Sequence, residues 1–160
     1  MSESFPSIEN AMTRDSIPAS VYMREDRFFL CPKARTSIGG DAAVEPTRVL
    51  PVTCSDAALG ALLLEVLDAY QPTPIEMDPV DSRRLAPFLK AVGVRSYKAF
   101  MVGAFSLGVY REKDSITFLP LMKRGSSSFV PVPEGPRSLA LPASCEAIGS
   151  AVREAFTACK

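Results

Sequence analysis

Residues 55–69 align without a gap on residues 144–158, 89 positions later, and both read S-x-x-A-[LI]-G-x-x-[LV]-x-E-x-[LF]-x-A. The echo extends upstream at the same offset: Arg48 and Leu50 match Arg137 and Leu139, and Phe29, Leu30, Arg35 and Ser37 match Phe118, Leu119, Arg124 and Ser126. After a one-residue slip, Val21-Tyr22 matches Val109-Tyr110. A chain that repeats itself once in this way is expected to fold as two similar units, each running strand, strand, strand, helix.

The local patterns agree. In the first copy Ala58, Leu59, Leu62, Leu63, Val66 and Leu67 recur at helical spacing, and in the second Ala147, Ile148, Ala151, Val152, Ala155 and Phe156 do the same. Ser55 and Ser144 stand where an N-cap hydroxyl would accept a bond from an otherwise orphaned N–H, and Asp56 and Glu146 suit the positive helix end. Leu64 corresponds to Arg153, which predicts that the first helix is covered on two sides and the second keeps a wet face. Upstream, apolar runs at 21–23 and 28–32 flank Arg24-Glu25-Asp26-Arg27, and those at 105–111 and 116–122 flank Glu112-Lys113-Asp114-Ser115. Both read as hairpins. A weakly alternating strand is expected over 47–53, at an edge or bulged at Pro51.

The expected fold is therefore α+β: a mainly antiparallel sheet with helices packed on it, built from two similar halves. Residues 1–18 are expected to be a loose tail and 19–160 a single domain. The repeats occupy 20–71 and 106–160. The connector 72–105 begins with a proline-rich stretch at 71–82, followed by a short helix over 83–92 closed by Gly93. Residues 96–102 are ambiguous between a helical turn and a strand, and 129–132 is a short strand.

Charge adds a second asymmetry. Residues 1–82 hold 6 basic and 13 acidic side chains, a net of −7, whereas residues 83–160 hold 12 and 5, a net of +7. In space these charges either segregate into faces or interleave and average out. The balanced total points to neither a nucleic acid nor a membrane partner.

The chemistry of catalysis is thinly represented. The chain has no histidine, the commonest general base and metal ligand. Cys31, Cys54, Cys145 and Cys159 form no zinc spacing and read as reduced thiols of a cytoplasmic protein. No apolar run approaches the roughly 20 residues of a membrane span, and the N-terminal residues lack the layout of a secretory signal. Neither a metal nor another cofactor is expected.

Three clusters remain. Glu76, Asp78 and Asp81 are hard oxygen donors for a divalent cation, a solvated acidic loop, or a surface for a basic protein partner. Residues 125–128, Gly-Ser-Ser-Ser behind Lys123-Arg124, have the materials of an anion cradle without the P-loop pattern, and equally those of a flexible basic loop. Ser96 near Lys98 lacks the S-x-x-K spacing of a serine–lysine dyad and reads better as a helix cap.

The motifs taken together resemble a known family. Residues 93–100, GVRSYKAF, resemble the GV-[KR]-S-aromatic-K segment of immunity proteins from bacterial contact-dependent growth inhibition systems, the CdiI type. The hairpin then follows, with Pro120, Gly125 and Phe129-Val130 matching a P…G…F-V stretch. Residues 146–156 match its E-x-[IL]-G-x-x-[LV]-x-E-A-F helix. The likeness covers most of residues 20–160 and departs at 125–129, where the family pattern is richer in glycine. It implies a cytoplasmic, non-catalytic protein that binds and neutralises the C-terminal toxin domain, often a nuclease, of a large effector. The residues expected to meet such a toxin are Asp68, Glu76, Asp78, Asp81, Arg83 and Arg84, the carboxylates facing a basic groove. A rival surface comprises Arg83, Arg84, Lys98, Lys123 and Arg124. The same features also suit an adaptor for another bacterial protein, or a histidine-independent enzyme acting through Ser96 or the carboxylates.

Overall fold

The computed structural model describes residues 16–76, 82–126 and 128–160. Along the chain run β1 (Ile17–Arg24), β2 (Arg27–Thr36), β3 (Asp41–Ala43), β4 (Arg48–Pro51), α1 (Asp56–Asp68) and β5 (Gln71–Ile75). A 3-10 turn (Ser82–Leu85), α2 (Ala86–Val92) and α3 (Tyr97–Met101) come next, followed by β6 (Phe105–Arg111), β7 (Ser115–Arg124), β8 (Ser128–Pro131), β9 (Arg137–Ala140) and α4 (Cys145–Phe156). The fold is α+β. One sheet runs β3-β2-β1-β6-β7-β8, with β4 on β2 and β9 on β7. Every pairing is antiparallel except that of β5, which lies parallel to β2.

The β1–β2 turn is made by Glu25 and Asp26, both at positive φ, as a two-residue hairpin loop requires. The ladder between β1 and β6 is centred on Ser20 opposite Gly108, with Ala19 opposite Val109 and Val21 opposite Leu107. Adding 88 to the β1 numbers and subtracting 88 from the β6 numbers exchanges the flanking pairs. This one-residue difference from the helix offset decides which strand residues correspond. Phe28 and Leu30 share a core with Ile116 and Phe118, whereas Phe29 lies on the opposite face with Val92, Phe100 and Ala104. The expected match of Phe29 to Phe118 is thus out of phase, because a slip of one residue turns a strand side chain through the sheet.

On one face Ala19, Val21, Phe28, Leu30, Leu107, Val109, Ile116 and Phe118 pack under α1 and α4. Fully buried Leu59, Leu63, Leu67, Ile148 and Val152 from those helices each contribute roughly 1.5–3 kcal/mol. Ser55 and Ser144 cap the helices as expected, each hydroxyl accepting a 3.0 Å bond from Ala58 and Ala147 N–H. The helices cross at their glycines. A Cβ on Gly60 would stand 1.8 Å from the Cys145 carbonyl oxygen, and one on Gly149 would stand 1.9 Å from that of Asp56. Arg48 on β4 reaches Glu65 at 3.3 Å, and Arg137 on β9 reaches Glu154 at 3.9 Å, so charges matched between the two stretches pair helix to strand.

The second helix keeps the expected wet face, with Glu146, Ser150 and Glu154 exposed, but Arg153 is half-buried and engaged. Its guanidinium donates to Asp56 Oδ1 at 2.6 Å, to the Val52 carbonyl at 2.7 Å and to the Cys54 carbonyl, and lies 5.4 Å from the Phe28 ring centroid. Arg153 ties α4 to the start of α1.

The expected connector is also more structured than a linker. Gln71–Ile75 is a strand, and residues 82–104 form a second layer that covers the sheet face opposite α1 and α4. Phe88, Leu89, Val92, Val94, Tyr97, Phe100 and Ala104 pack there on Tyr22 and Phe29. Ser96 caps α3, its hydroxyl accepting from the Ala99 N–H at 3.1 Å, and Gly93 ends α2 with φ 91°. The β1–β2 hairpin fastens the layer: Arg24 Nε and Arg27 Nη2 donate to the carbonyls of Val102 and Val92, both at 3.0 Å. Ile17 and Pro18, placed in the expected tail, belong to β1, and residues 1–15 lie outside the described residues.

Candidate functional site

The 82–104 layer and the β3–β4 segment enclose a cleft of about 160 Å³. Ala42, Ala43, Val44, Glu45 and Thr47 line one side, and Arg84, Leu85, Pro87, Phe88 and Tyr97 the other. Tyr22 of β1 and Cys31 of β2 also line it. β-strand alternation explains these two: Tyr22 and Cys31 point away from the face on which Val21 and Leu30 meet the helices.

The rings form a connected set. Tyr22 lies edge-on to Phe100 at 5.1 Å and 5.5 Å from Phe88, Phe88 lies 4.9 Å from Phe100, and Tyr97 lies 5.7 Å from Phe100. Burial pushes the Cys31 thiol up to about 11, against the opposing effects of its Thr47 contact and Lys33. Burial also raises the Tyr22 and Tyr97 phenols. All three stay protonated at neutral pH, so this part of the cleft is uncharged and favours contact over nucleophilic chemistry.

The cleft wall carries one charge of each sign, Arg84 and Glu45, while the layer on its Arg84 side is basic. Residues 82–104 contain Arg83, Arg84, Lys90, Arg95 and Lys98 and no acid. Of these, Arg84, Lys90, Arg95 and Lys98 make no ion pair among the described residues. The helix layer differs. Asp56, Glu65, Asp68 and Glu154 each meet an arginine, at 2.6, 3.3, 2.8 and 3.9 Å. Among the described residues, four acids of α1 and α4 are thus answered by arginines, whereas Arg84, Lys90, Arg95 and Lys98 have no acidic partner.

A second groove, about 470 Å³ and more open to solvent, is lined by Ser16, Ile17, Arg35, Leu67, Asp68, Tyr70, Pro72 and Arg111. Asp68 pairs there with Arg111, and the Tyr70 hydroxyl donates to Asp41 at 2.8 Å. Burial, then that bond, raises the Tyr70 phenol.

The described residues among those expected to meet a partner come from different parts of the fold. Asp68 lies on the helix layer, whereas Arg84 lines the cleft under the other face. Glu76 is exposed just after β5, and Arg83 belongs to the 3-10 turn. Asp78 and Asp81 lie outside the described residues. The rival set divides as well: Lys98 is on the second layer, but Lys123 on β7 lies 5.9 Å from the Phe105 ring centroid. Beside it, Ser128 gives its hydroxyl hydrogen to the Arg124 carbonyl at 3.0 Å, and Ser127 lies outside the described residues. Among the described residues no group of three acidic or cysteine side chains is placed to hold a metal ion, and no helix is long and apolar enough to cross a membrane.

Sequence reasoning missed Tyr22, Cys31 and Thr47 as cleft residues, and Arg153 as a clamp. Only Arg153 left a signal, as a charge in a stripe where the other copy has Leu64.

The architecture defines a small α+β domain with one sheet covered on both faces. Within that class the chain belongs to the CdiI family of contact-dependent growth inhibition immunity proteins, whose family model matches residues 76–159. No curated protein matches the sequence. Two solved structures share the fold. A protein of unknown function from Neisseria meningitidis superposes with a TM-score of 0.75 at 15% identity, over 92% of this chain and 98% of that one. A chain from a CdiA-CT/CdiI toxin and immunity complex of Yersinia pseudotuberculosis superposes with a TM-score of 0.72 at 20% identity, over 91% and 98%.

Proposed function

We propose that this protein binds the C-terminal toxin domain of a contact-dependent growth inhibition effector and neutralises it by occupying its surface, without catalysis and in the cytoplasm of the cell it protects. Membership of the immunity family through residues 76–159 carries this reading. Its support from the fold is likeness to a chain from a toxin and immunity complex. A nuclease is the toxin activity to assay first. Glu76, Asp78 and Asp81, with Asp68 beyond them, are proposed to face the basic groove such an enzyme uses, and Arg83 and Arg84 to extend the contact onto the second layer. Neutralising the three clustered carboxylates should slow association and weaken its dependence on salt.

The deciding experiment is co-expression. The chain is produced together with the C-terminal domain of a candidate contact-dependent growth inhibition effector, and growth is followed. Rescue by this chain, absent with an immunity protein from an unrelated system, is the expected result. Continued growth arrest at equal expression would overturn the reading.

A further inference from the structure

Three observations converge on the layer formed by residues 82–104. Arg84, Lys90, Arg95 and Lys98 make no ion pair among the described residues. The cleft opens beside Arg84 and holds about 160 Å³, less than the roughly 300–1,000 Å³ of pockets that enclose drug-sized ligands. Leu85, in the cleft wall, keeps 40% of its surface exposed, and Val102 at the end of the layer keeps 70%. A small, largely apolar cavity with an exposed leucine and an arginine in its wall has the anatomy of an anchor site in a protein–protein interface.

We propose that this cleft receives one large apolar side chain of the toxin domain, and that Arg84, Lys90, Arg95 and Lys98 meet carboxylates flanking that anchor. The inference rests on the immunity reading and specifies the chemistry of the partner's face. Complementarity selects an acidic surface, because there is no acid within 82–104 and Glu45 is the one acid in the cleft wall. The aromatic rings argue against single-stranded nucleic acid as the occupant. Tyr22 and Phe88 are engaged with each other and, like Tyr97, with Phe100, whereas base stacking needs a free ring face. The acidic face need not be the toxin's catalytic groove, since Glu76, Asp78 and Asp81 precede the layer and present the opposite charge.

The test uses the full chain and the toxin domain from the rescue experiment. Two variants are measured by calorimetry at low and high salt: Arg84→Glu with Lys98→Glu, and Ala43→Trp, which fills the cleft mouth. Each should weaken toxin binding by about tenfold or more with an unchanged melting temperature, and the charge reversal should also flatten the salt dependence. Hydrogen exchange on the unmutated complex gives a reading that needs no variant, with slowed exchange expected across 82–101. Wild-type affinity in both variants, or no slowing in that segment, overturns the proposal while leaving rescue intact. Oligo-dT that competes with the toxin for wild-type protein but not for the charge-reversed variant would overturn it in favour of a nucleic-acid site. A toxin domain that the wild-type chain neither binds nor blocks removes the immunity reading, and this inference with it.

Discussion

Gly149 of α4 passes so close to Asp56 of α1 that a Cβ there would lie 1.9 Å from the Asp56 carbonyl oxygen, and Gly60 stands in the same relation to Cys145. Neither carbonyl is a flexible group that could step aside. Gly149→Ala and Gly60→Ala should each force the helices apart and destabilise the fold by about 1–3 kcal/mol or more. In urea denaturation the double variant should cost less than the sum of the singles, because the first substitution already opens the crossing. An unchanged midpoint for either single variant would show that the helices do not meet as described.

Arg153 should be the most sensitive charged residue in the helix layer. Arg153→Met removes the donor to the Val52 and Cys54 carbonyls and leaves Asp56 without its partner, at a cost of about 1–3 kcal/mol. Arg153→Lys should recover little, since an ammonium lacks the planar fork that reaches all three acceptors. Thermal melts of the two variants side by side check this, and full recovery in the lysine variant would count against the clamp.

Phe100 anchors the second layer. It is fully buried against Tyr22, Phe88 and Tyr97, so Phe100→Ala should cost about 3–5 kcal/mol. Proteolysis should then cut within 82–104 sooner than in α1 or α4. Equal cutting across the layers would mean the insertion is not a separately loosened layer.

Alkaline pH should weaken the fold in part through Cys31. Its thiol ionises at an ordinary value of 9.0 when unfolded and at about 11 when folded. The folded state holds the proton longer, so this contribution is complete below pH 9 and is lost as pH rises through 11. It amounts to about 2–3 kcal/mol. Tyr22 acts in the same direction from its ordinary value of 10.0 upward. Burial lowers Lys33, which works the other way, so the clean measurement is a difference. Stability of wild type minus Cys31→Ala should fall between pH 9 and 11, and a flat difference would remove Cys31 from this role. Without denaturant, a thiol reagent should reach Cys54 and Cys145 before the buried Cys31 and Cys159.

The exposed ion pairs should matter little. Arg48–Glu65 and Arg137–Glu154 are 40–77% solvent-exposed at their side chains, and double-mutant cycles should return no more than about 1 kcal/mol for each.

What the sequence disclosed depended on whether a residue's task was local. The caps Ser55, Ser96 and Ser144, the terminator Gly93 and the stripes of α1 and α4 act within one or two turns, and propensity and period expose them. The α+β class and the two main hairpins follow from the same local signals. Phe29 was misassigned because Phe28-Phe29-Leu30 is apolar throughout, since β2 is covered on both faces, and alternation vanishes in such a strand. Gly60 and Gly149 were visible as matched glycines, but their reason is a crossing between residues nearly ninety positions apart. The cleft was hidden for the same cause: Tyr22, Cys31, Thr47 and Arg84 come from four separate stretches of the chain, and only the folded sheet assembles them. Asp68 on α1 and Arg84 in the cleft wall are likewise placed by packing across the sheet, which no local signal reports.

The ladder between β1 and β6 has a consequence for how the molecule holds together. Seven residue pairs join these strands at the middle of the sheet, one strand from each side of the 82–104 layer, so the seam behaves as an interface between two tethered partners. The tether raises their effective concentration rather than making the contact. Cut within the insertion, the two pieces would still recognise each other through that ladder and the α1–α4 crossing. At high concentration one molecule's first piece could satisfy another's second, so the protein carries within itself the means for its halves to trade places.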